Sequence, residues 1–287
     1  MIEKYYSGVI EQIYNRIGKE TRNIVMANYS NDFSIENLEV IRRYQSNEDN
    51  VFFAYSEFSY NTLFGAYEPF LDIICNMHRR FIGGSFDDFQ KECGVYYLHR
   101  QVLNSYYETG ECFREETVLL NEVAYERRRM TMAIADMLKR LSEVRPLMIV
   151  INRFQMASKS SIETIKYLID NPCASIGIVL GVNALVKGTD STVEVWDRIV
   201  ESLEDRSAIY YIGSAGSLKN NVKTTNDDEL YITMNFEQSI QEASNIMEFL
   251  DFEQAKRGCR IIEHKLKFED AWIDEKSLRR FYMVYAR

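Results

Sequence analysis

The sequence predicts an α/β fold: a three-layer, mostly parallel sheet with helices on both faces, followed by a C-terminal helical segment. Three observations predict it. Short aliphatic runs recur along the first 235 residues, separated by stretches with helical apolar spacing. The longest run, Leu147 to Ile151, is apolar at every position, as a strand buried on both faces must be. The intervals between runs are long enough for the crossover connections that parallel strands require.

Ile2, Tyr5, Tyr6, Val9, Ile10, Ile13, Tyr14 and Ile17 fall at helical spacing, and Gly18 comes next as a stop. Asn23 to Ala27 is a short apolar run fit for a buried strand, and Asn28 to Asp32 a polar loop. Ser34 can cap a helix through Leu38, Ile41 and Tyr44, with Asn37 rather than Glu three residues on. A second strand is predicted at Val51 to Tyr55. Tyr67 to Leu71 opens another helix, with Pro69 near its first turn and Leu71, Ile74 and Met77 on one face.

Residues 83 to 113 have no dominant period, and Gly83-Gly84 reads as a turn. Glu115 to Glu143 reads as one long helix that ends at Arg145-Pro146. The central strand 147–151 comes next, then a helix over Ser158 to Ile169, a strand with two glycines over Ser175 to Val182, a helix over 193–204 and a strand over Ala208 to Ile212. From about Asn235 the strand signal disappears, and residues 239 to 287 read as helix pairs. The division predicted is an α/β domain over 1–235 and a helical segment over 236–287, the start of a helix-pair repeat array or a helical cap. The pattern is still helical at Arg287, which predicts continuation in a longer protein.

Composition narrows the function classes. Hydrophobic residues make up 46% and charged residues 27%, as in a folded globular chain. Three prolines and thirteen glycines argue against a turn-rich all-β fold. A net charge of −9 argues against a nucleic-acid partner, which needs surplus Lys and Arg to displace counterions. Arg127-Arg128-Arg129 is the densest basic cluster, but Glu115, Glu116, Glu122 and Glu126 precede it, so it reads as a solvated helix face. The nineteen tyrosines and sixteen phenylalanines, on an acidic background, read as core and interface packing. Asp87-Asp88 and Asp227-Asp228 read as solvated acidic pairs in loops.

The five cysteines, Cys75, Cys93, Cys112, Cys173 and Cys259, include no CxxC pair and read as reduced thiols of a cytoplasmic protein. His78, His99 and His264 form no HxxxH or HExxH pattern, so no metal site is predicted. The N-terminus lacks a secretory layout, and no aliphatic run is long enough to span a bilayer.

A phosphate-binding loop has the layout strand, GxxxxGK[ST], helix. Its glycines turn backbone N–H groups toward the phosphates, its lysine neutralises them, and its hydroxyl holds magnesium. The stretch Ala27-Asn28-Tyr29-Ser30-Asn31-Asp32-Phe33-Ser34 has this length and these flanks. Only Ser34 keeps its type. Ala27 and Asp32 stand at the glycine positions, and Phe33 at the lysine. Asp32 would also direct a negative charge at a phosphate.

A second stretch carries a resemblance. Arg145 to Leu168, RPLMIVINRFQMASKSSIETIKYL, resembles the Walker B segment of the STAND class of AAA-related signal-transduction ATPases. In that class a basic residue and proline precede an aliphatic strand ending in paired acids, then a turn with Gln or His and a helix opening on small polar residues. Here Gln155, Ala157 and Ser160-Ser161 fall in place, and the two acids have become Asn152 and Arg153. Val51 to Leu71, with Tyr67-Glu68-Pro69-Phe70, resembles the family's second strand and helix start. Ile178 to Asn183 resembles its sensor strand, with Asn183 as the polar tip.

The resemblance spans about residues 20 to 215 and implies a P-loop-NTPase-like fold with degenerate Walker A and Walker B motifs. An amide at 152 and a cation at 153 cannot orient magnesium and activate water, and those electrostatic and metal effects supply most phosphoryl-transfer catalysis. The function expected is therefore a catalytically inactive ATPase-like regulatory or interaction module of a larger bacterial-type signalling protein, with no catalytic residue and no cofactor. Its partners would be another protein or other domains of the same chain, with oligomerisation as a further mode. Ala27, Asp32, Phe33, Ser34, Asn152, Arg153 and Asn183 are the vestigial nucleotide-site positions. The alternatives are a divergent ATPase that still binds ATP or ADP with magnesium, and a scaffold leading into a helical repeat array.

Overall fold

A computed structural model describes residues 2–29, 35, 38–46, 50–58, 66–112, 122–183, 186–187, 193–212, 223–224, 259, 263, 279 and 282. It is an α/β structure built on a five-stranded, all-parallel sheet. The strands are β1 (Ile24–Tyr29), β2 (Phe52–Glu57), β3 (Leu147–Asn152), β4 (Ile176–Asn183) and β6 (Ile209–Ile212), in the order β2-β3-β4-β1-β6. Two-residue strands β5 (Val186–Lys187) and β7 (Lys223–Thr224) pair separately. The helices are α1 (Ile2–Arg16), α2 (Glu39–Ser46), α3 (Phe70–Met77), α4 (Phe86–Glu92), α5 (Tyr97–Thr109), α6 (Val123–Val144), α7 (Lys159–Asp170) and α8 (Val193–Glu204).

Strand side chains alternate between two cores, as the period of two demands. Leu147, Ile149 and Ile151 of β3, with Ile176, Ile178 and Leu180 of β4, join a core shared with α3, α5, α6, α7 and α8. Met148, Val150 and Val179 face the other way, against Tyr6, Val9, Ile10 and Ile13 of α1 and Val40 and Ile41 of α2. Every residue of β3 and β4 is buried. That is why their sequences are almost continuously apolar rather than alternating.

The two glycines of β4 have a packing role. A Cβ on Gly177 would sit 2.8 Å from Ile17 Cδ1, and one on Gly181 would collide with the Tyr6 hydroxyl oxygen and sit 2.8 Å from Asn152 Oδ1. Both glycines let α1 and its following turn approach the sheet closely.

Several expectations are corrected. The second strand runs to Glu57 rather than Tyr55, because it pairs residue for residue with β3 through Glu57 and Asn152. The helix predicted from Ser34 begins at Glu39. Ile35 and Leu38 precede it and are buried, and the Leu38 carbonyl accepts from Arg42 N at 3.2 Å. Ser34 itself lies outside the described residues. The long helix begins at Val123, with Glu122 before it, and 115–121 lie outside the described residues.

The unassigned stretch holds α4 and α5, reached through a π-helical turn over His78–Ile82 that Gly83 closes at φ 70°. Asp87-Asp88 is therefore no loop pair. Ser85 caps α4 by accepting from Asp88 N at 3.2 Å, and Asp87 binds Arg100 at 3.1 Å and Asn104 at 3.1 Å. Acidic side chains in a first helical turn also complement the helix dipole. Asp227-Asp228 lies outside the described residues.

The arginine cluster is only partly a solvated face. Arg128 is exposed, but Arg127 pairs with Glu163 at 3.5 Å, and Arg129 lies 3.8 Å over the Tyr96 ring. Glu126 beside them is buried against His99, with Nε2 and Oε2 3.0 Å apart. Within 236–287, residues 259, 263, 279 and 282 are described and each is helical. Among the described residues, no helix is long and apolar enough to cross a membrane.

Candidate functional site at the carboxyl edge of the sheet

Ligands of parallel α/β sheets bind beyond the carboxyl ends of the strands. Here β1, β3 and β4 bring Ala27, Asn152 with Arg153, and Asn183 to that edge, with β4 between the other two. Of the positions expected to be vestigial nucleotide-site residues, Asp32, Phe33 and Ser34 lie outside the described residues.

Asn152 is fully buried. Its Oδ1 accepts a hydrogen bond from the Tyr29 hydroxyl at 2.7 Å. The two side chains come from strands that are not neighbours, and they meet on the α1 side of β4 above Gly181. Tyr6 descends from α1 onto the same spot. Its ring is edge-on to Tyr29 at 6.4 Å between centroids. Burial first, and then the nearby Tyr29, hold the Tyr6 hydroxyl protonated well above the usual tyrosine range. Ala27, a small residue, pairs with Gly181 in the sheet register beneath this group.

Arg153 comes directly after, in the left-handed region, at φ 53° and ψ 39°. A non-glycine residue held there stores backbone strain, which surrounding contacts must offset. Arg153 Nη1 makes an ion pair with Glu57 Oε1 at 2.9 Å, and Tyr55 donates its hydroxyl to Glu57 as well. Both members of the pair are about one-fifth exposed, so the attraction is only partly screened.

The short 3₁₀ turn Phe154–Met156 then buries Gln155, whose Oε1 accepts from the Asn183 backbone N–H at 3.3 Å. That ties the tip of β4 to the tip of β3. Ser158 caps α7 by accepting from Ser161 N at 3.3 Å, and Ser160 accepts from Tyr67 N at 3.1 Å.

Chemically, this arrangement holds shape. The last residue of β3 presents an amide to a tyrosine, and the residue after it presents a cation to a carboxylate. Glu57, at the end of β2, is the carboxylate beside Arg153, and both Arg153 and Tyr55 engage it. Among the described residues no group of three His, Cys, Asp or Glu side chains could hold a metal ion. Burial pushes the Cys75 thiol up to about 12 and the Cys93 thiol up to about 11, which leaves both unreactive as nucleophiles at neutral pH.

Sequence reading located Asn152, Arg153 and Asn183 but missed Tyr6, Tyr29 and Glu57. The signal for Glu57 was its position two residues past a predicted strand that in fact continues to it. Tyr6 carried no local signal beyond an apolar helix face, and Tyr29 fell in the stretch expected to be a polar loop, whereas β1 continues through Asn28 and Tyr29 because both pair with β4. These features define an α/β protein whose carboxyl-edge strand tips are cross-linked by buried polar side chains. No protein-family model matches the chain, and no curated protein matches it.

Proposed function

We propose that this chain is a catalytically silent, ATPase-like module of a larger cytoplasmic signalling protein, working by association with a protein partner or another domain of the same chain. One observation carries the reading. Where a Walker B acid pair would stand, Asn152 is buried against Tyr29 and Tyr6, and Arg153 is paired with Glu57. A magnesium-bound phosphate at that point would meet an amide and a cation in place of two carboxylates, and it loses the metal-centred stabilisation that phosphoryl transfer depends on.

The three-layer, P-loop-like architecture belongs to the same proposal. Its support is the parallel sheet in which a sensor-like strand stands between the two Walker-like strands. A retained frame with replaced chemical groups suits a domain kept for its surfaces rather than its turnover.

Thermal unfolding with and without millimolar magnesium-ATP or ADP tests it. A ligand present at a hundred times its dissociation constant adds about 2.7 kcal/mol of stability. The expected result is no shift in Tm with either nucleotide. A clear magnesium-dependent shift would overturn the silent reading in favour of a divergent nucleotide-binding ATPase.

A further inference from the structure

Helix α6 sends most of its surface inward. Met130, Ile134, Met137 and Leu138 enter the core, with Ala133 and Ala135 beside them. One stripe faces away from that core. It runs through Tyr125, Arg128, Met132, Asp136 and Lys139, at the spacing of three and four that keeps side chains on one helix face. Tyr125 is 63% exposed, Met132 is 37% exposed, and Arg128 is exposed. Exposed apolar residues scattered singly need no explanation, but these two stand two turns apart on a single stripe.

Tyr125 is also held in place. The Arg129 guanidinium lies 3.8 Å over the Tyr96 ring and 5.5 Å from the Tyr125 centroid. Arg129 Nη1 is 3.4 Å from Glu126 Oε1, and Glu126 is buried against His99. An exposed tyrosine fixed in this way loses little side-chain entropy on association, and tyrosine and arginine are enriched among the residues that carry interface energy.

The stripe is complementary to itself. Met132 is its midpoint. Arg128 stands four positions before Met132 and Asp136 four after, while Tyr125 stands seven before and Lys139 seven after. In two such helices running antiparallel about a two-fold axis at Met132, Arg128 faces the partner's Asp136 and Tyr125 faces the partner's Lys139. The first contact is a charge-assisted hydrogen bond, the second a cation–π contact, and methionine packs on methionine between them. A parallel pair would set arginine on arginine and aspartate on aspartate. The charges are available for this contact. Arg128 makes no ion pair or hydrogen bond among the described residues, and Asp136 has a loose 3.6 Å contact with Lys139 in its own helix.

We propose that this chain forms a homodimer through α6, antiparallel and centred on Met132. The contact from Tyr125 to Lys139 is about 21 Å long. That is the small end of protein interfaces, so the dimer is reversible and forms at about 10–100 µM. It makes no use of the strand tips and stands whether or not the ATPase-like reading holds.

Sedimentation velocity of the full chain from about 5 to about 200 µM tests the assignment. The chain should pass from monomer to dimer across that range. Met132→Asp sets two carboxylates against each other on the axis and should leave only monomer. Arg128→Glu alone, or Asp136→Arg alone, brings like charges together and should weaken the dimer by about tenfold or more. Mixed one to one, these two variants should associate again, because both charge pairs are restored between unlike chains. Circular dichroism checks that each variant keeps its fold. A wild-type chain that stays monomeric at about 200 µM would overturn the proposal and leave the face to a different partner. So would a dimer that Met132→Asp leaves intact. A mixture of the two charge variants that stays monomeric would overturn the antiparallel register, and with it the proposed dimer.

Discussion

The Tyr29 hydroxyl donates to Asn152 Oδ1 at 2.7 Å, joining two residues 123 positions apart across an intervening strand. The contact exists because the strand between them carries Gly181 at that level. A side chain there would occupy the space of the Tyr6 hydroxyl and the Asn152 amide. The strand tips are thus locked together from the α1 side, through one glycine.

Gly181→Ala should therefore destabilise the protein by about 1–3 kcal/mol, the cost of overpacking a close-packed interior. The new methyl would collide with the Tyr6 oxygen and lie 3.3 Å from Tyr6 Cζ. Removing that oxygen with Tyr6→Phe should recover part of the loss in the double variant. Urea unfolding of the four proteins gives the coupling directly. Additive effects of the two substitutions would mean that Tyr6 does not set the fit.

Asn152→Asp should lower stability rather than restore chemistry. It places a carboxylate at a fully buried position, where charge without a paired cation is costly. Tyr29 could donate to it, but one neutral donor does not replace water. Combining it with Phe33→Lys should yield no magnesium-dependent ATP hydrolysis above background in a phosphate-release assay. Turnover by that double variant would overturn the proposal that the filled strand tip rules out ATP hydrolysis.

The elements legible in the sequence are those whose burial is simplest. β3 is apolar at all positions before Asn152, and α7 carries its cap in Ser158, so both have local signatures. The stretch from 83 to 113 was not legible. Its helix α4 has only seven residues, and Gly83, Gly84 and Gly94 interrupt the period on either side of it. In the candidate site, Asn152, Arg153 and Asn183 were visible because strand tips follow from strands. Their partners were not. Tyr6 comes down beside Asn152 over Gly181, a helix-on-sheet approach that needs a residue without a side chain at 181. Glu57 reaches Arg153 through the β2-β3 register, and a linear pattern encodes neither.

Arg153 offers a way to separate backbone strain from charge pairing. Arg153→Ala and Arg153→Gly both remove the ion pair with Glu57. Only glycine adopts φ 53° freely. The glycine variant should thus be more stable than the alanine variant by about 1 kcal/mol, on the scale of a single strained residue. Equal stabilities in chemical denaturation would mean that the turn relaxes when the arginine is gone.

Acid should destabilise the protein through His78. This residue is fully buried in α3's π-helical extension, edge-on to Phe86 and Tyr107, with Nδ1 3.1 Å from the Tyr107 hydroxyl. Burial first, and then the adjacent Arg79, lower its pKa from the ordinary 6.5. The folded protein resists protonating it, while the unfolded chain accepts the proton at the ordinary value. Below that value the unfolded state binds more protons, so stability falls as pH falls through 6.5 toward the lower folded-state pKa. Above it the contribution is complete and flat. His78→Phe removes this proton uptake while keeping an aromatic ring in an aromatic cluster. Unfolding free energies measured from about pH 7.5 down to about pH 5 should drop more steeply for the wild type than for His78→Phe. The other two histidines are common to both proteins and cancel in the comparison. Identical slopes would mean that His78 takes up its proton without leaving the fold.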